Sequence, residues 1–143
     1  MDKKPITPEG HKRLKDELDY IKNIKRQDII DAISEARAHG DLKENAEYHA
    51  AREEQGLNEA RIREIEEALS LSTVIEYKDL GNESIVKFGS LVTILDLDSS
   101  EKKTYQIVGE FEADIDNNTI SITTPIGKAL LKKETGDIVE VNT

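Results

Sequence analysis

Two long stretches in the first half of the chain repeat apolar residues at steps of three and four. Such spacing predicts amphipathic helices, because these positions share one helical face. The first series contains one four-residue step too many, a stutter in the repeat. Thr7 and Pro8 suit the start of this helix and Gly40 suits its end. The series is Leu14, Leu18, Ile21, Lys25, Ile29, Ile33 and Ala36.

The second stretch begins near residue 45 and ends near residue 71. Only a short turn separates it from the first, so the two helices are expected to fold back as an antiparallel coiled-coil hairpin. Two helices inside a bundle would need wider apolar faces than these. The second series is Tyr48, Ala51, Gln55, Asn58, Ile62, Ile65 and Leu69.

After residue 76 the pattern changes to short β-type runs separated by turn residues. Thr124 and Pro125 then begin a predicted short helix. These features predict an α+β fold with a hairpin at 1–76, whose acidic tip is residues 40–48, and a small antiparallel sheet domain with one short helix at 77–143. The predicted strands are 84–88, 91–97, 103–109, 119–123 and 137–141.

Composition narrows the function classes. Twenty basic and 30 acidic residues give a net charge of −10, which argues against strong binding of free nucleic acid. The chain has no cysteine, so disulfides and thiolate metal sites are excluded. It begins without an apolar signal core and has no run of membrane-spanning length, so we expect a soluble cytosolic protein without a membrane partner.

The turn between the predicted helices carries two carboxylates, Asp41 and Glu44. One interpretation is a capping box that opens the second helix. The other is a shared cation, because Mg²⁺ takes carboxylate oxygens and keeps several waters. Two exposed side chains cannot complete its octahedral shell, so the free protein is expected to hold no cofactor stably.

Other polar residues surround this pair. His39 and His49 raise the question of a transition-metal site, although their spacing does not place both rings on one side. Arg37 and Arg52 lie on opposite arms, where they could face RNA or a protein partner or serve as ordinary surface charge. Tyr48 is expected to pack across the tip.

Three blocks of sequence resemble the bacterial Gre transcript cleavage factors of the GreA type. They lie in family order and span nearly the whole chain. One block contains the turn and the residues on either side of it. The other two lie near the start of the chain and in its second half. The blocks are residues 36–55, residues 6–10 with Leu14 and Leu18, and residues 124–131 with Gly136 and Asp137.

The resemblance implies an FKBP-like C-terminal domain that docks on bacterial RNA polymerase. It also implies a hairpin that enters the secondary channel and stimulates the polymerase's own cleavage at the nascent RNA 3′ end. Asp41 and Glu44 would assist catalysis and share Mg²⁺ with the polymerase. The other implied residues fall into two groups, contacts to RNA or polymerase (Arg37, Arg52, Pro125 and Gly127) and support of the tip (Gly40, Asn45, Glu47 and Tyr48).

Alternatives remain at this stage. A secondary-channel inhibitor could use the same scaffold. A coiled coil could also be purely structural or chaperone-like. An FKBP-like fold suggests prolyl isomerase activity as a third alternative, by fold analogy alone. Pro125 and Gly127 could instead cap and pack the short helix. Family members usually continue beyond the 139–141 run, so a last strand is expected to be missing, which would expose a sheet edge.

Overall fold

A computed structural model describes residues 3–40, 45–79 and 84–141. Contacts divide the chain into two units, one of Lys12–Ser70 and one of Met1–His11 with Leu71–Thr143. The α+β class predicted from the sequence is confirmed, with a helical hairpin in one unit and a small sheet in the other. The described residues contain no helix that is both long and apolar enough to cross a membrane.

The hairpin has two arms. The first arm runs through α1 (Pro8–Tyr20), a π-helical turn (Ile21–Lys25) and α2 (Arg26–Arg37), and the second arm is α3 (Ala46–Leu71). The predicted stutter coincides with the π turn. A π turn takes up one residue more than an α turn, which explains how the additional step is accommodated.

The faces that pack together follow the predicted series closely. Lys25 and Leu18 are half-buried, and Ala68 is buried where Leu69 had been predicted. Glu17 pairs with Arg61, and further along the first arm Ala36 pairs with Asn45, so the arms are antiparallel. The buried positions of the seam are Leu14, Ile21, Ile29, Ile33, Ala36, Ala51, Asn58, Ile62, Ile65 and Ala68.

The second unit includes the start of the chain. β1 (Lys4–Ile6) pairs in parallel with β2 (Ser72–Val74), which follows α3 directly. The sequence placed a boundary between residues 76 and 77, whereas this pairing groups Met1–His11 and the residues from Leu71 onward with the sheet. Periodicity cannot reveal the difference, because the two strands are far apart along the chain and only three residues long.

Within residues 84–141, strands β3 (Leu91–Leu95), β4 (Lys102–Val108) and β5 (Thr119–Ser121) form a sheet in that order. β3 and β4 are antiparallel, but β4 and β5 are parallel, so the prediction of a purely antiparallel sheet is wrong. The turn predicted near 116–118 is present as a 3₁₀ turn, Ile115–Asn117, followed by Asn118 at φ +58°. That turn belongs to a crossover and not to a hairpin.

Two other predicted strands are not formed. Ile85 makes an isolated bridge to Glu134, and residues 137–141 have no strand pairing. The short helix is confirmed as α4 (Pro125–Leu130), where the Thr124 hydroxyl accepts the Gly127 N–H at 3.0 Å. Its Leu130 packs into the core of the sheet with Tyr105, Ile107 and Ile120.

Candidate functional site at the hairpin turn

The two carboxylates at the centre of the sequence prediction, Asp41 and Glu44, lie outside the described residues. The structure does define what flanks them. α2 ends at Arg37 and α3 begins at Ala46, so the two acids belong to the connection between the arms.

Asn45 is the N-cap of α3. Its Oδ1 accepts the Tyr48 N–H at 3.0 Å, and its carbonyl accepts the His49 N–H. Asn45 therefore fills the cap position of α3, while the alternative that Asp41 and Glu44 form a capping box lies outside the described residues.

The same side chain also joins the two arms. Asn45 Nδ2 donates to the Ala36 carbonyl at 2.6 Å, which supplies a partner near the C-terminal end of α2. One amide thus satisfies a donor of one helix and an acceptor of the other. This hydrogen bond joins the two arms directly beside the turn.

We expect Asn45→Ala to lower the free energy of unfolding of the hairpin by about 1–2 kcal/mol, because it removes an N-cap and a cross-arm hydrogen bond. Urea unfolding followed by circular dichroism measures this. Asn45→Asp keeps the cap but cannot donate to the Ala36 carbonyl, so it should fall between wild type and Asn45→Ala. Equal stability of all three proteins would contradict the assignment.

The chain leaves α2 through a short irregular segment. The Ala38 and His39 N–H groups donate to carbonyls of α2, and Gly40 has φ +116°. That backbone conformation strongly favours glycine, since a Cβ would be strained there. Among the described residues, no neighbouring atom lies within 4 Å of the place where a Cβ would be, so the requirement is conformational and not steric.

Below the turn, the hairpin is closed by an apolar cluster. Ile29, Ile33 and Ala51 are buried, and Tyr48 packs against them. The Tyr48 ring also meets the His49 ring edge-on at 5.5 Å between centroids. Tyr48 thus lies against the seam of the hairpin next to the turn.

The charged candidates point into solvent. Arg37, Glu47 and Arg52 are exposed, and so are His39 and His49. Glu47 lies in the first turn of α3, where its charge is favourable. In the part of the chain that the structure describes, no group of three or more His, Asp or Glu side chains could hold a metal ion.

The two candidates in the sheet unit differ from each other. Pro125 is exposed at the first turn of α4, whereas Gly127 is buried. A Cβ on Gly127 would lie 2.1 Å from the Ser121 carbonyl oxygen, so glycine is needed for α4 to approach β5. Gly127 is therefore required for packing, and its contact with RNA or polymerase stays a prediction.

Glu112 is a structurally important residue that no sequence pattern had indicated. It is buried, and its carboxylate accepts the Thr7 N–H at 2.8 Å, the Gly109 N–H at 2.9 Å and the Thr7 hydroxyl. Thr7 in turn caps α1 by accepting the Gly10 N–H at 3.0 Å. A partner 105 residues away leaves no local signal.

The ion pair of Glu17 with Arg61 gives the hairpin a pH dependence. The hydrogen bonds from Arg61 hold the pKa of Glu17 below its usual value of 4.5. A lowered folded-state pKa stabilises the protein above pH 4.5, and the stabilisation is lost as pH falls through the folded pKa. We expect the thermal midpoint to fall on acidification from pH 6 to pH 3.

The fall in thermal midpoint on acidification should be smaller in Glu17→Gln, whose side chain no longer titrates. Glu67→Gln, at an exposed position of α3, is the matched control and should follow wild type. Thermal scans by circular dichroism at several pH values test this. An identical pH profile for wild type and Glu17→Gln would show that the pair contributes nothing.

The chain forms a helical hairpin and a small sheet unit. Comparison with known proteins identifies the family in which these two parts occur together. The N-terminal domain of transcription elongation factors of the GreA/GreB type matches residues 4–74, and the GreA/GreB C-terminal domain matches residues 81–143. The chain therefore belongs to the GreA/GreB family of transcription elongation factors.

Within this family the chain is of the GreA type. It is 54% identical over 142 residues to transcription elongation factor GreA of Francisella tularensis subsp. novicida strain U112, covering 99% of this chain and 89% of the relative. GreA of Francisella tularensis subsp. tularensis strain SCHU S4 gives the same values. A solved structure of the transcription factor Gfh1 is 29% identical with a TM-score of 0.51, covering 100% of this chain and 91% of Gfh1.

Proposed function

We propose that this transcription elongation factor acts on bacterial RNA polymerase by stimulating the polymerase's own cleavage of backtracked RNA. The observation that supports this most is the position of Asp41 and Glu44 between two capped helix ends, in a chain 54% identical to GreA factors. The hairpin enters the polymerase secondary channel with this turn leading. The two carboxylates then reach the RNA 3′ end held there.

The residues around the turn are suited to delivering the acids. Asn45 ties the two helix ends together, and Tyr48 packs on the seam below them. Since α3 is capped by Asn45, neither acid is needed to start that helix. We therefore assign Asp41 and Glu44 to a ligand outside the chain.

Carboxylate oxygens fit Mg²⁺ as ligands, but two of them leave its shell incomplete. When bound between polymerase, RNA and these acids, the ion would stabilise charge on phosphate oxygens and lower the pKa of a water. The chain's own part is to add two oxygen ligands and to orient them. It follows that the free protein has no nuclease activity of its own.

Contacts with RNA or polymerase are assigned to exposed residues. Arg37 and Arg52 lie on α2 and α3 near the turn, where a phosphate or an acidic polymerase surface could receive them. Pro125, exposed at the start of α4, is the candidate contact of the sheet unit.

The test uses purified bacterial RNA polymerase halted on a backtracked template with end-labelled RNA. Adding this protein and Mg²⁺ should shorten the RNA from its 3′ end and restore elongation. An inhibitor on the same scaffold would instead slow nucleotide addition without shortening the RNA. RNA that keeps its length at saturating protein would contradict the proposal.

A further inference from the structure

The first arm of the hairpin contains a π turn in the middle of an otherwise α-helical segment. In this turn the Arg26 N–H donates to the Ile21 carbonyl, five residues back. Single π turns interrupt the regular backbone ladder and occur frequently at functional positions. The Ile21 carbonyl is thereby presented differently from the carbonyls of a regular α-helix.

Across the seam, Asn58 of α3 uses this carbonyl. Its Nδ2 donates to the Ile21 oxygen at 2.9 Å, and the residue is only 4% exposed. The neighbouring seam residues Ile62 and Ile65 are almost completely buried. An amide placed in such apolar surroundings costs free energy unless it is hydrogen-bonded.

We propose that the contact between Asn58 and the π-turn carbonyl of Ile21 sets the axial register of the two arms, which makes Asn58 a positioning residue. This inference rests on the proposed function, since it concerns where the turn is delivered. In another register Asn58 would face carbonyls of a regular α-helix, which point along the helix axis and not across the seam. The buried amide would then have a poorer partner or none.

A single buried polar residue is known to select register in coiled coils at a cost in stability. The cross-arm ion pairs discriminate less well. Arg26–Glu59 and Glu17–Arg61 are bidentate, but their side chains are about one-third exposed or more. Exposed ion pairs contribute little and can exchange partners on a surface rich in charge.

The register matters because the two arms cannot slide past each other without changing which residues form the turn. A slip of one heptad moves the midpoint of the turn by about three to four residues, or roughly 5 Å along the arm. Asp41 and Glu44 would then no longer occupy the end of the hairpin. Misplacement of reacting groups by even about 1 Å can cost about 10²-fold in rate.

The register is measured directly with Asn58→Leu. Because the chain has no cysteine, cysteines introduced at exposed Ser34 and Glu67, one on each arm, carry two spin labels without background. We expect one distance in the wild-type background. In Asn58→Leu we expect a second distance that differs from it by about 10 Å, because a slip of one heptad displaces one arm along the other by about seven residues. Gln55→Leu makes the same kind of change at a half-buried seam position and should retain the single distance.

The same variants, without labels, are tested in the cleavage reaction with halted polymerase. Asn58→Leu should lower the rate at saturating factor by about tenfold and leave the half-saturating concentration within about twofold, since docking is not expected to depend on the register. Its thermal midpoint should equal or exceed that of wild type, because leucine packs better in an apolar seam. Loss of packing alone would instead lower the midpoint.

Asn58→Asp gives a second measurement, since it keeps the shape of the side chain but at neutral pH offers no donor to the carbonyl. It should also show two distances and reduced cleavage. A single wild-type distance in both variants would overturn the inference. Reduced cleavage without a second distance would also overturn it, and so would a second distance together with wild-type cleavage. If the wild-type protein itself stimulated no cleavage, the proposed function would fail, while the distances would still decide the register claim.

Discussion

Asp41→Asn and Glu44→Gln are each expected to reduce stimulated RNA cleavage by about 10²-fold at saturating factor. Each change replaces a charged oxygen ligand with a neutral amide of the same shape, so the electrostatic contribution is lost while the fold is kept. The rate is measured on a backtracked polymerase complex with end-labelled RNA. Since both acids precede the Asn45 cap, the thermal midpoint should change little.

The matched control is Glu54→Gln, which removes the same charge from an exposed position of α3. It should retain wild-type cleavage. Competition with labelled wild-type factor separates docking from chemistry, and the Asp41 and Glu44 variants should compete normally. Wild-type cleavage by both variants would remove these acids from the account.

Glu112→Ala is expected to destabilise the sheet unit by about 3–5 kcal/mol. It deprives the Thr7 N–H, the Thr7 hydroxyl and the Gly109 N–H of their common acceptor. Each buried donor left without a partner costs about 1–3 kcal/mol.

Urea unfolding and calorimetry measure the loss. Glu110→Ala is the control two residues earlier, where the carboxylate pairs with Lys4 at the surface. Such a pair contributes about 0–1 kcal/mol. Similar losses from Glu110→Ala and Glu112→Ala would show that the buried carboxylate is not the link that we describe.

The hairpin could be predicted because its signal is local. Apolar steps of three and four determine which helical face is buried, and the additional step near Lys25 indicated an irregularity at the place where the π turn occurs. The form of that irregularity could not be predicted. The hydrogen bond from Asn58 to Ile21 joins residues 37 apart, and sequence periodicity carries no record of it.

Prediction was weaker where pairing is long-range. The turn residues near Asn118 correctly marked a turn, but they did not show that β4 and β5 are parallel, because the direction of pairing depends on the whole crossover. The strand β1 is three residues long, and it pairs with β2 across the length of the hairpin sequence. Such contacts depend on tertiary structure more than on local propensity.

At the turn, the sequence identified the acids but offered two interpretations of them. A capping box at Asp41 and Glu44 was compatible with the local pattern, and so was a role in chemistry. The structure places Asn45 at the cap of α3, while Asp41 and Glu44 themselves lie outside the described residues. Both Asn45 and Asp41 are residue types that cap well, so propensity alone could not separate them.

One measurement tests most directly the claim that this chain supplies ligands to a catalytic centre that belongs to the polymerase. Backtracked complexes are prepared with normal polymerase and with polymerase whose own metal-binding carboxylates have been replaced, and the RNA is sized after saturating factor and Mg²⁺ are added. We predict rapid shortening in the first complex and intact RNA in the second. Shortened RNA in the second complex, or in RNA mixed with the factor alone, would show that the factor catalyses cleavage itself and would contradict the account.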